Sequence, residues 1–177
     1  VGDAQNASQL LVIASSGDEL GLFSVATDSA GIGILPVEAL DPTRKLARVT
    51  FDDVEVERVG DVSSEILDQI WDYLNVALAH EMVGGAQRLL DTTIEYTKIR
   101  YQFGRPIGSF QGLKHRCADL LMELEFARAA THYAAFCLAA GDGEPYVSSM
   151  AKAMASETYM NAAKEAVQMR GGIGFTW

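Results

Sequence analysis

The longest regular pattern in the chain runs from Ser63 to Arg100 and reads SSEILDQIWDYLNVALAHEMVGGAQRLLDTTIEYTKIR. Apolar residues recur in it at steps of three and four, which is the spacing of one helix face. That face comprises Ile66, Ile70, Tyr73, Leu74, Ala77, Leu78, Met82 and Leu89. Ser63 suits the N-cap, because its hydroxyl can accept a hydrogen bond from a backbone N–H of the first turn. The stretch contains no proline, so we predict one long helix that ends near Arg100.

Two further stretches carry the same period. The stripe of the second comprises Leu113, Cys117, Leu120, Leu121, Leu124, Thr131, Ala135 and Leu138, and the stripe of the third comprises Met150, Ala153, Met154, Tyr159 and Val167. The second helix is predicted to end at Gly141-Asp142-Gly143. The third is predicted to have Pro145 in its first turn and to end at Gly171-Gly172. Three long helices with short connections predict an antiparallel bundle. We expect this bundle to be incomplete, with a fourth helix absent.

The residues before Asp61 show a different pattern. Short apolar runs alternate with clusters of Gly, Asp and Ser, which is typical of antiparallel strands. These runs are 10–14, 20–27, 32–36 and 46–51. We therefore predict a mainly α fold, in which a short antiparallel β segment precedes a bundle of long helices. The predicted domains are a partial β-domain over 1–61 and an incomplete helical domain over 62–177.

Composition narrows the possible functions. The chain has 177 residues, 49% of them hydrophobic, and a net charge of −10. Residues 1–61 hold 11 acidic and 4 basic side chains and so contribute −7 of that charge (4 − 11). This acidity argues against nucleic acid and anionic membranes as partners, because both are negatively charged. No apolar run has the roughly 18 to 20 residues that a bilayer span needs, so we expect no membrane span.

The start of the chain and its two cysteines indicate the cellular compartment of the protein. The sequence starts without Met and without a signal-peptide pattern, so we expect a fragment or a processed product. Cys117 and Cys137 fall in one predicted helix, about 30 Å apart, which is too far for a disulfide between them. A reducing compartment fits best. We expect a bacterial cytoplasmic protein, or a mitochondrial matrix protein if the source is eukaryotic.

Most ionisable residues in the helices have ordinary structural explanations. His80, His115 and His132 are scattered, and no Cys/His cluster has metal-ligand spacing, so no metal site is predicted. Glu81 lies on a largely apolar helix, where a glutamate is more often an interhelical partner or a surface charge than a catalytic base.

The segment between the first two helices is IRYQFGRPIGSFQ, over 99–111. It holds two arginines, two glycines, a proline and two phenylalanines, whereas a simple connection between helices needs only a few polar residues. Arginines beside glycines can hold a phosphate through a bidentate fork and a close backbone approach. An aromatic side chain beside them can stack on an adenine or flavin ring. On physical grounds alone, a helix cap with a surface arginine stays an open alternative.

A second segment, QMRGGIGFT over 168–176, ends the third helix with three glycines in four positions. A simple helix stop needs one glycine, whereas three allow a ligand or another chain to approach the backbone. The segment follows a helix and has no lysine, so it is not a phosphate loop of the Lys-Ser/Thr kind.

Both segments resemble the acyl-CoA dehydrogenase family. RYQFGRPIGSFQ with KHRCADL resembles that family's loop between the first two helices of its C-terminal domain, and QMRGGIGFTW resembles the glycine-rich segment after the third helix. Upstream, LDPTRKLARVTFDDVEV is similar to the last strands of the family's middle β-domain. The stretch AHEMVGGAQRLLDTTIEY is similar to the actinobacterial branch, which handles varied or sterol-derived acyl-CoAs. The resemblance covers nearly the whole chain.

The resemblance implies FAD as the cofactor and a tetramer, homo- or hetero-oligomeric and built as a dimer of dimers, in which both segments reach a partner's FAD. By motif position, Arg100 would meet the pyrophosphate with Gln102 beside it. The remaining residues implied at the cofactor are Phe103, Ile107, Phe110 and Gln111 at the adenosine end, and Gln168, Gly171 and Gly172 around the rest. Asp72 matches the aromatic-Asp start of the first helix and is a candidate substrate-binding residue.

The family reaction implied is α,β-dehydrogenation of an acyl-CoA thioester in fatty acid and lipid degradation, with an electron-transferring flavoprotein as acceptor. A glutamate removes the α-proton while the β-hydride passes to the flavin. The usual glutamate would lie beyond Trp177, and the alternative position on the first helix holds Leu74. Glu81, seven residues further on a similar face, is a weak substitute.

Three alternatives therefore remain beside the dehydrogenase. The chain could be a non-catalytic subunit or oligomerisation module that completes a partner's FAD site. It could keep the fold but carry out a different chemistry, as in acyl-CoA oxidases or the related DNA-damage flavoproteins. Without the resemblance, it would be a helical bundle with a short β appendage and no assigned function.

Overall fold

A computed structural model describes residues 1–17 and 19–176. The chain divides into two compact units, Val1–Leu67 and Asp68–Trp177. The first unit is built from antiparallel strands and the second from long helices. This arrangement confirms the predicted fold class, a mainly α chain with a short antiparallel β segment in front.

The first unit contains five strands in two antiparallel sheets. The strands are β1 (Gln9–Ser16), β2 (Glu19–Ala26), β3 (Ile32–Val37), β4 (Leu46–Phe51) and β5 (Glu57–Val62). One sheet has the order β1-β2-β5 and the other pairs β3 with β4. The four predicted runs are all strands, with ends within two residues of those expected. The sequence pattern missed β5, because its two valines, Val59 and Val62, are three positions apart and so do not alternate with polar residues.

Both sheets contribute to one small core. Ala4, Leu10 and Ala47 are buried together, and Val12, Ile34 and Val49 pack against them. These residues come from a short 3₁₀ turn at Ala4–Asn6 and from both sheets, so apolar burial joins the two sheets of this unit.

The helices are α1 (Ser64–Ile99), α2 (Gln111–Ala140), α3 (Val147–Arg170) and a single turn, α4 (Gly172–Phe175). All but the first four residues of α1 belong to the second unit. The expected N-cap is confirmed, because the Ser63 hydroxyl accepts a hydrogen bond from the Ile66 N–H at 3.3 Å. Gly141 ends α2 in the left-handed conformation, with φ of 65°. The prediction for Pro145 was wrong: α3 begins two residues later, at Val147, so the proline lies before the helix.

The buried face of the bundle follows a heptad-like spacing of small residues. On α1 the buried positions are Val76, Ala79, Val83, Ala86, Leu90, Thr93 and Thr97. On α2 they are Leu120, Leu124, Ala127, Thr131 and Ala134, and on α3 they include Ala151, Ala155, Thr158, Ala162 and Ala166. Alanine and threonine at these positions allow neighbouring helices to approach closely.

The apolar stripes predicted for α1 and α3 match the buried face only in part, since Met82 and Leu89 of the α1 stripe pack against the core. Ile66, Ile70, Tyr73, Leu74 and Leu78 on α1 are 37–61% exposed, and Met150, Tyr159 and Val167 on α3 are 40–45% exposed. Both helices carry apolar side chains on more than one face, and the close approach of the helices selects the face with small residues for the core. The α2 prediction was partly right, because Leu120, Leu124 and Thr131 are buried.

Candidate functional site

The two unusual segments of the sequence meet at one end of the bundle. The connection between α1 and α2 and the end of α3 together line an open cavity of about 620 Å³. Of the nine residues proposed to bind cofactor, eight line this cavity: Arg100, Gln102, Phe103, Ile107, Phe110, Gln168, Gly171 and Gly172. Gln111, the first residue of α2, is not among the lining residues.

The connection is an ordered hairpin rather than a plain helix cap. Tyr101–Gln102 (β6) pairs antiparallel with Arg105–Pro106 (β7) across a two-residue turn. Both turn residues have positive φ, 54° at Phe103 and 79° at Gly104. This is the pattern of a tight hairpin turn, and it is unusual for an aromatic residue. A hydrogen bond from the Ile107 N–H to the Arg100 carbonyl at 2.8 Å closes the base of the hairpin.

The hairpin holds an aromatic pair over the cavity. The ring of Phe103 stands edge-on to that of Phe110, with centroids 6.2 Å apart, and the Arg105 guanidinium lies 4.0 Å from the Phe110 ring centroid. Phe103 is 91% exposed. An exposed ring on a hairpin closed by a backbone hydrogen bond is a surface on which a planar ligand can stack at little entropic cost.

The three glycines at the end of α3 have different physical roles. Gly171 has φ of 62° and ψ of −139°, a conformation that residues with a Cβ rarely adopt. At Gly174 a Cβ would come within 2.8 Å of the Val167 carbonyl oxygen, so this glycine serves packing within the segment. Gly172 has neither constraint, because a Cβ there would meet open space. A Cβ on Gly171 would also meet open space, so both Gly171 and Gly172 leave room for a ligand, and only Gly172 has no backbone requirement for glycine.

The lining of the cavity is positively charged. Among the residues that the structure describes, it includes the guanidinium groups of Arg100, Arg116 and Arg170 and no aspartate or glutamate. Arg116 pairs with Glu165 of α3, with Nη1 2.9 Å from Oε2. Arginines with little compensating acid, next to aromatic rings and an open glycine, form a donor set suited to a dianionic dinucleotide. Sequence reasoning gave no role to Arg116 and Arg170, although both lie within the quoted motifs. It also missed Tyr96, which lies one helical turn before Arg100.

The family comparison gives the same assignment as the motifs. The family model for the acyl-CoA dehydrogenase C-terminal domain matches residues 69–177, more than half of the chain. The chain belongs to the acyl-CoA dehydrogenase family. The arginine-rich hairpin and the glycine-rich end of α3 both lie within the matched region.

Several acyl-CoA dehydrogenases resemble the chain over nearly all of its length. It is 44% identical over 142 residues to acyl-CoA dehydrogenase IpdE2 of Mycobacterium tuberculosis, covering 80% of this chain and 41% of that protein. The solved Tcur3481-Tcur3483 steroid ACAD is 31% identical, with a TM-score of 0.87 over 98% of this chain and 47% of that one. Butyryl-CoA dehydrogenase from Megasphaera elsdenii is 25% identical, with a TM-score of 0.91 over 99% and 49%. The chain thus spans about half the length of these relatives.

Asp72 of this acyl-CoA dehydrogenase chain lies far from the arginine-lined cavity. It is 28 residues before Arg100 along nearly continuous helix, a separation of about 42 Å. Its carboxylate accepts a short hydrogen bond from the hydroxyl of Ser148, which is buried at the start of α3. Asp72 also lines a separate cavity of about 360 Å³ beside the turn between α2 and α3.

The candidate catalytic positions lie in the first half of α1. Leu74 is 46% exposed and carries no ionisable group. Glu81 is exposed on the same helix, and next to it His80 stacks on His132 of α2, with ring centroids 5.7 Å apart. Across residues 1–17 and 19–176, no three or more His, Cys, Asp or Glu side chains are grouped to hold a metal ion. Within the same residues, no helix is long and apolar enough to cross a membrane.

Proposed function

We propose that the whole protein catalyses FAD-dependent α,β-dehydrogenation of an acyl-CoA thioester, and that this chain supplies the inter-subunit part of an FAD site. The observation that carries the proposal is the 620 Å³ cavity. In it, eight motif residues from two segments far apart in the sequence surround one open space lined with arginine. The family membership of the chain supports the reaction class.

Each group of residues has a role suited to its chemistry. Arg100 and Gln102 would bind the pyrophosphate, because a guanidinium offers paired N–H donors to phosphate oxygens. Phe103, Ile107 and Phe110 would contact the adenosine end, with Gln111 donating nearby. Gln168, Gly171 and Gly172 would cradle the rest of the cofactor. When bound, flavin supplies the acceptor for the hydride that leaves the β-carbon of the thioester.

The distance between Asp72 and Arg100 along α1 supports the proposal that the two ends of this helix serve two different active sites. Asp72 and Arg100 are about 42 Å apart, farther than one reacting centre spans. We infer that the hairpin serves the FAD of a partner subunit, while the first half of α1 faces an acyl-CoA substrate, with Asp72 in that region. In this proposal residues 1–61 are the end of the middle β-domain, and residues 62–177 are an incomplete C-terminal helical domain.

A specific observation favours one alternative function. Leu74 occupies the position on α1 where some family members carry their base, and it cannot accept a proton. The chain would then be a non-catalytic subunit or oligomerisation module that completes the FAD site of a partner. A solved relative named for two proteins, Tcur3481-Tcur3483, supports a hetero-oligomer as the assembly. In both cases an electron-transferring flavoprotein is the proposed electron acceptor.

The deciding experiment is a visible absorbance spectrum of the full-length protein, before and after anaerobic addition of acyl-CoA thioesters. A flavin band that bleaches with a thioester supports the dehydrogenase, and the most effective thioester defines the substrate class. A flavin band that bleaches only when a second subunit is co-purified supports the non-catalytic role. Failure to retain any flavin after incubation with FAD, alone or with a second subunit, contradicts both.

A further inference from the structure

The last residue of α3, Arg170, makes two hydrogen bonds to α1 and one within α3. Arg170 donates from Nη1 to the Thr93 hydroxyl at 2.8 Å and from Nη2 to the Thr92 hydroxyl at 3.0 Å. Nη1 also donates to the Ala166 carbonyl at 3.1 Å. The guanidinium carbon lies 5.9 Å from the centroid of the Tyr96 ring, within range of a cation–π contact.

The two threonine hydroxyls are oriented to receive this contact. Thr93 donates its hydroxyl proton to the Leu89 carbonyl at 2.6 Å, and Thr92 donates to the Arg88 carbonyl at 2.9 Å. Each hydroxyl has a single proton, so the remaining lone pairs accept from Arg170. Thr93 is 1% exposed, so its hydroxyl has little access to water as an alternative partner.

Neutral groups hold this arginine rather than a carboxylate. Among the described residues, the ion pairs of the helical unit involve Lys98, Arg116 and Arg128 but not Arg170. The planar guanidinium of Arg170 binds two hydroxyls and a carbonyl at once, which fixes the orientation of the side chain. A lysine ammonium on its flexible side chain would not fix the orientation in this way. Gly171 and Gly172 follow Arg170 directly in the sequence, so the contacts of Arg170 with α1 fix the position of the glycine backbone at the cavity.

We propose that Arg170 is a positioning residue for FAD. It locks the end of α3 to Thr92 and Thr93 of α1 and thereby presents Gly171 and Gly172 to the cofactor. The inference rests on the proposed FAD site. It adds Arg170 to the nine residues already proposed to bind the cofactor, and it assigns an effect on FAD to Thr93, which does not line the cavity.

The test uses full-length protein in its native assembly and the variants R170M, R170K, T93V and T93V/R170M. R88M is the charge-matched control, because Arg88 is exposed on α1 and does not line the cavity. The measured quantities are the Kd for FAD by flavin fluorescence, the Tm, and hydrogen exchange of a peptide covering 171–175 in the FAD-free protein.

We expect R170M to weaken FAD binding by about tenfold, the scale of lost hydrogen bonds to a charged group. R170K should bind FAD nearly as weakly as R170M, because lysine keeps the charge but lacks the planar guanidinium. T93V should weaken FAD binding by a smaller factor, and T93V/R170M should be no weaker than R170M, since both changes break one contact. Exchange at 171–175 should speed up in R170M and T93V, while R88M matches the wild type throughout.

Two kinds of result would overturn the positioning role. Wild-type FAD affinity in R170M or R170K would contradict it. A loss of FAD affinity in T93V/R170M equal to the sum of the two single losses would contradict it as well. Unchanged exchange at 171–175 in both R170M and T93V would contradict it without any cofactor present. Absence of FAD binding by the wild type would instead defeat the proposed function, and the exchange data would still test the contact.

Discussion

A methyl group on Gly85 of α1 would come within 2.8 Å of the Tyr159 ring of α3. The preceding residue, Gly84, is exposed and has open space around its would-be Cβ. Adjacent glycines in one long helix therefore have opposite environments. Glycine costs helix stability, so a glycine at 85 is explained by the ring that packs over it. No described residue packs over Gly84 in the same way.

Alanine at the two glycines should have different effects on stability. G84A should raise the free energy of unfolding by up to about 1 kcal/mol, the difference in helix propensity between alanine and glycine. G85A should gain less or lose stability, because the Tyr159 ring must move away from the new methyl group. Urea unfolding of both variants measures the difference. In a Y159A background, G85A should raise the free energy of unfolding as much as G84A does. If G85A still gained less than G84A there, the Tyr159 ring would not be the cause of the difference.

Arg100 should be the strongest single determinant of pyrophosphate binding. R100A is expected to weaken FAD retention by roughly 1.5 to 3 kcal/mol, because a hydrogen bond to a charged phosphate is lost. Equilibrium dialysis of the full-length protein against FAD measures the effect, with R88A as a control for net charge. Unchanged affinity in R100A would remove Arg100 from the site.

Gly171 and Gly172 should respond differently to alanine. G171A forces a Cβ into a positive-φ conformation and should lower stability by about 1 to 2 kcal/mol together with FAD affinity. G172A meets open space in the protein, so stability should hold while FAD affinity falls. Urea unfolding and FAD titration of both variants separate the two effects. If G172A bound FAD as tightly as the wild type, the cofactor would not approach that backbone.

The Cys117 thiol should ionise only at high pH. Burial raises its pKa, and the negative charge of Glu165 raises it further. Because the folded pKa is the higher one, this group stabilises the fold below its unfolded pKa, and that contribution is lost as pH rises through the folded value. In a C137S background, iodoacetamide alkylation should reach half its maximal rate at higher pH in native than in urea-denatured protein. E165Q should lower the native midpoint, whereas equal native and denatured midpoints would contradict the shift.

The start of α1 and the end of α2 were predicted correctly, whereas the start of α3 was not. Ser63 caps α1 and Gly141 ends α2 as the sequence indicated, because capping depends on hydrogen bonds within about four residues. The hairpin at Phe103 and Gly104 was not predicted, although its glycine was noted. An aromatic residue at positive φ runs against local preference, and local preference is what sequence reasoning uses.

The sequence by itself determined the three long helices, the family, and the two segments that line the cavity. Only the tertiary structure decided which face of each helix is buried and that Phe110 and Gln168, 58 residues apart, line one space. It also decided that Arg170 binds threonines on another helix. Caps and periodicity are local properties of the backbone. The buried face depends instead on how closely neighbouring helices approach, a distance set by side chains remote in the sequence.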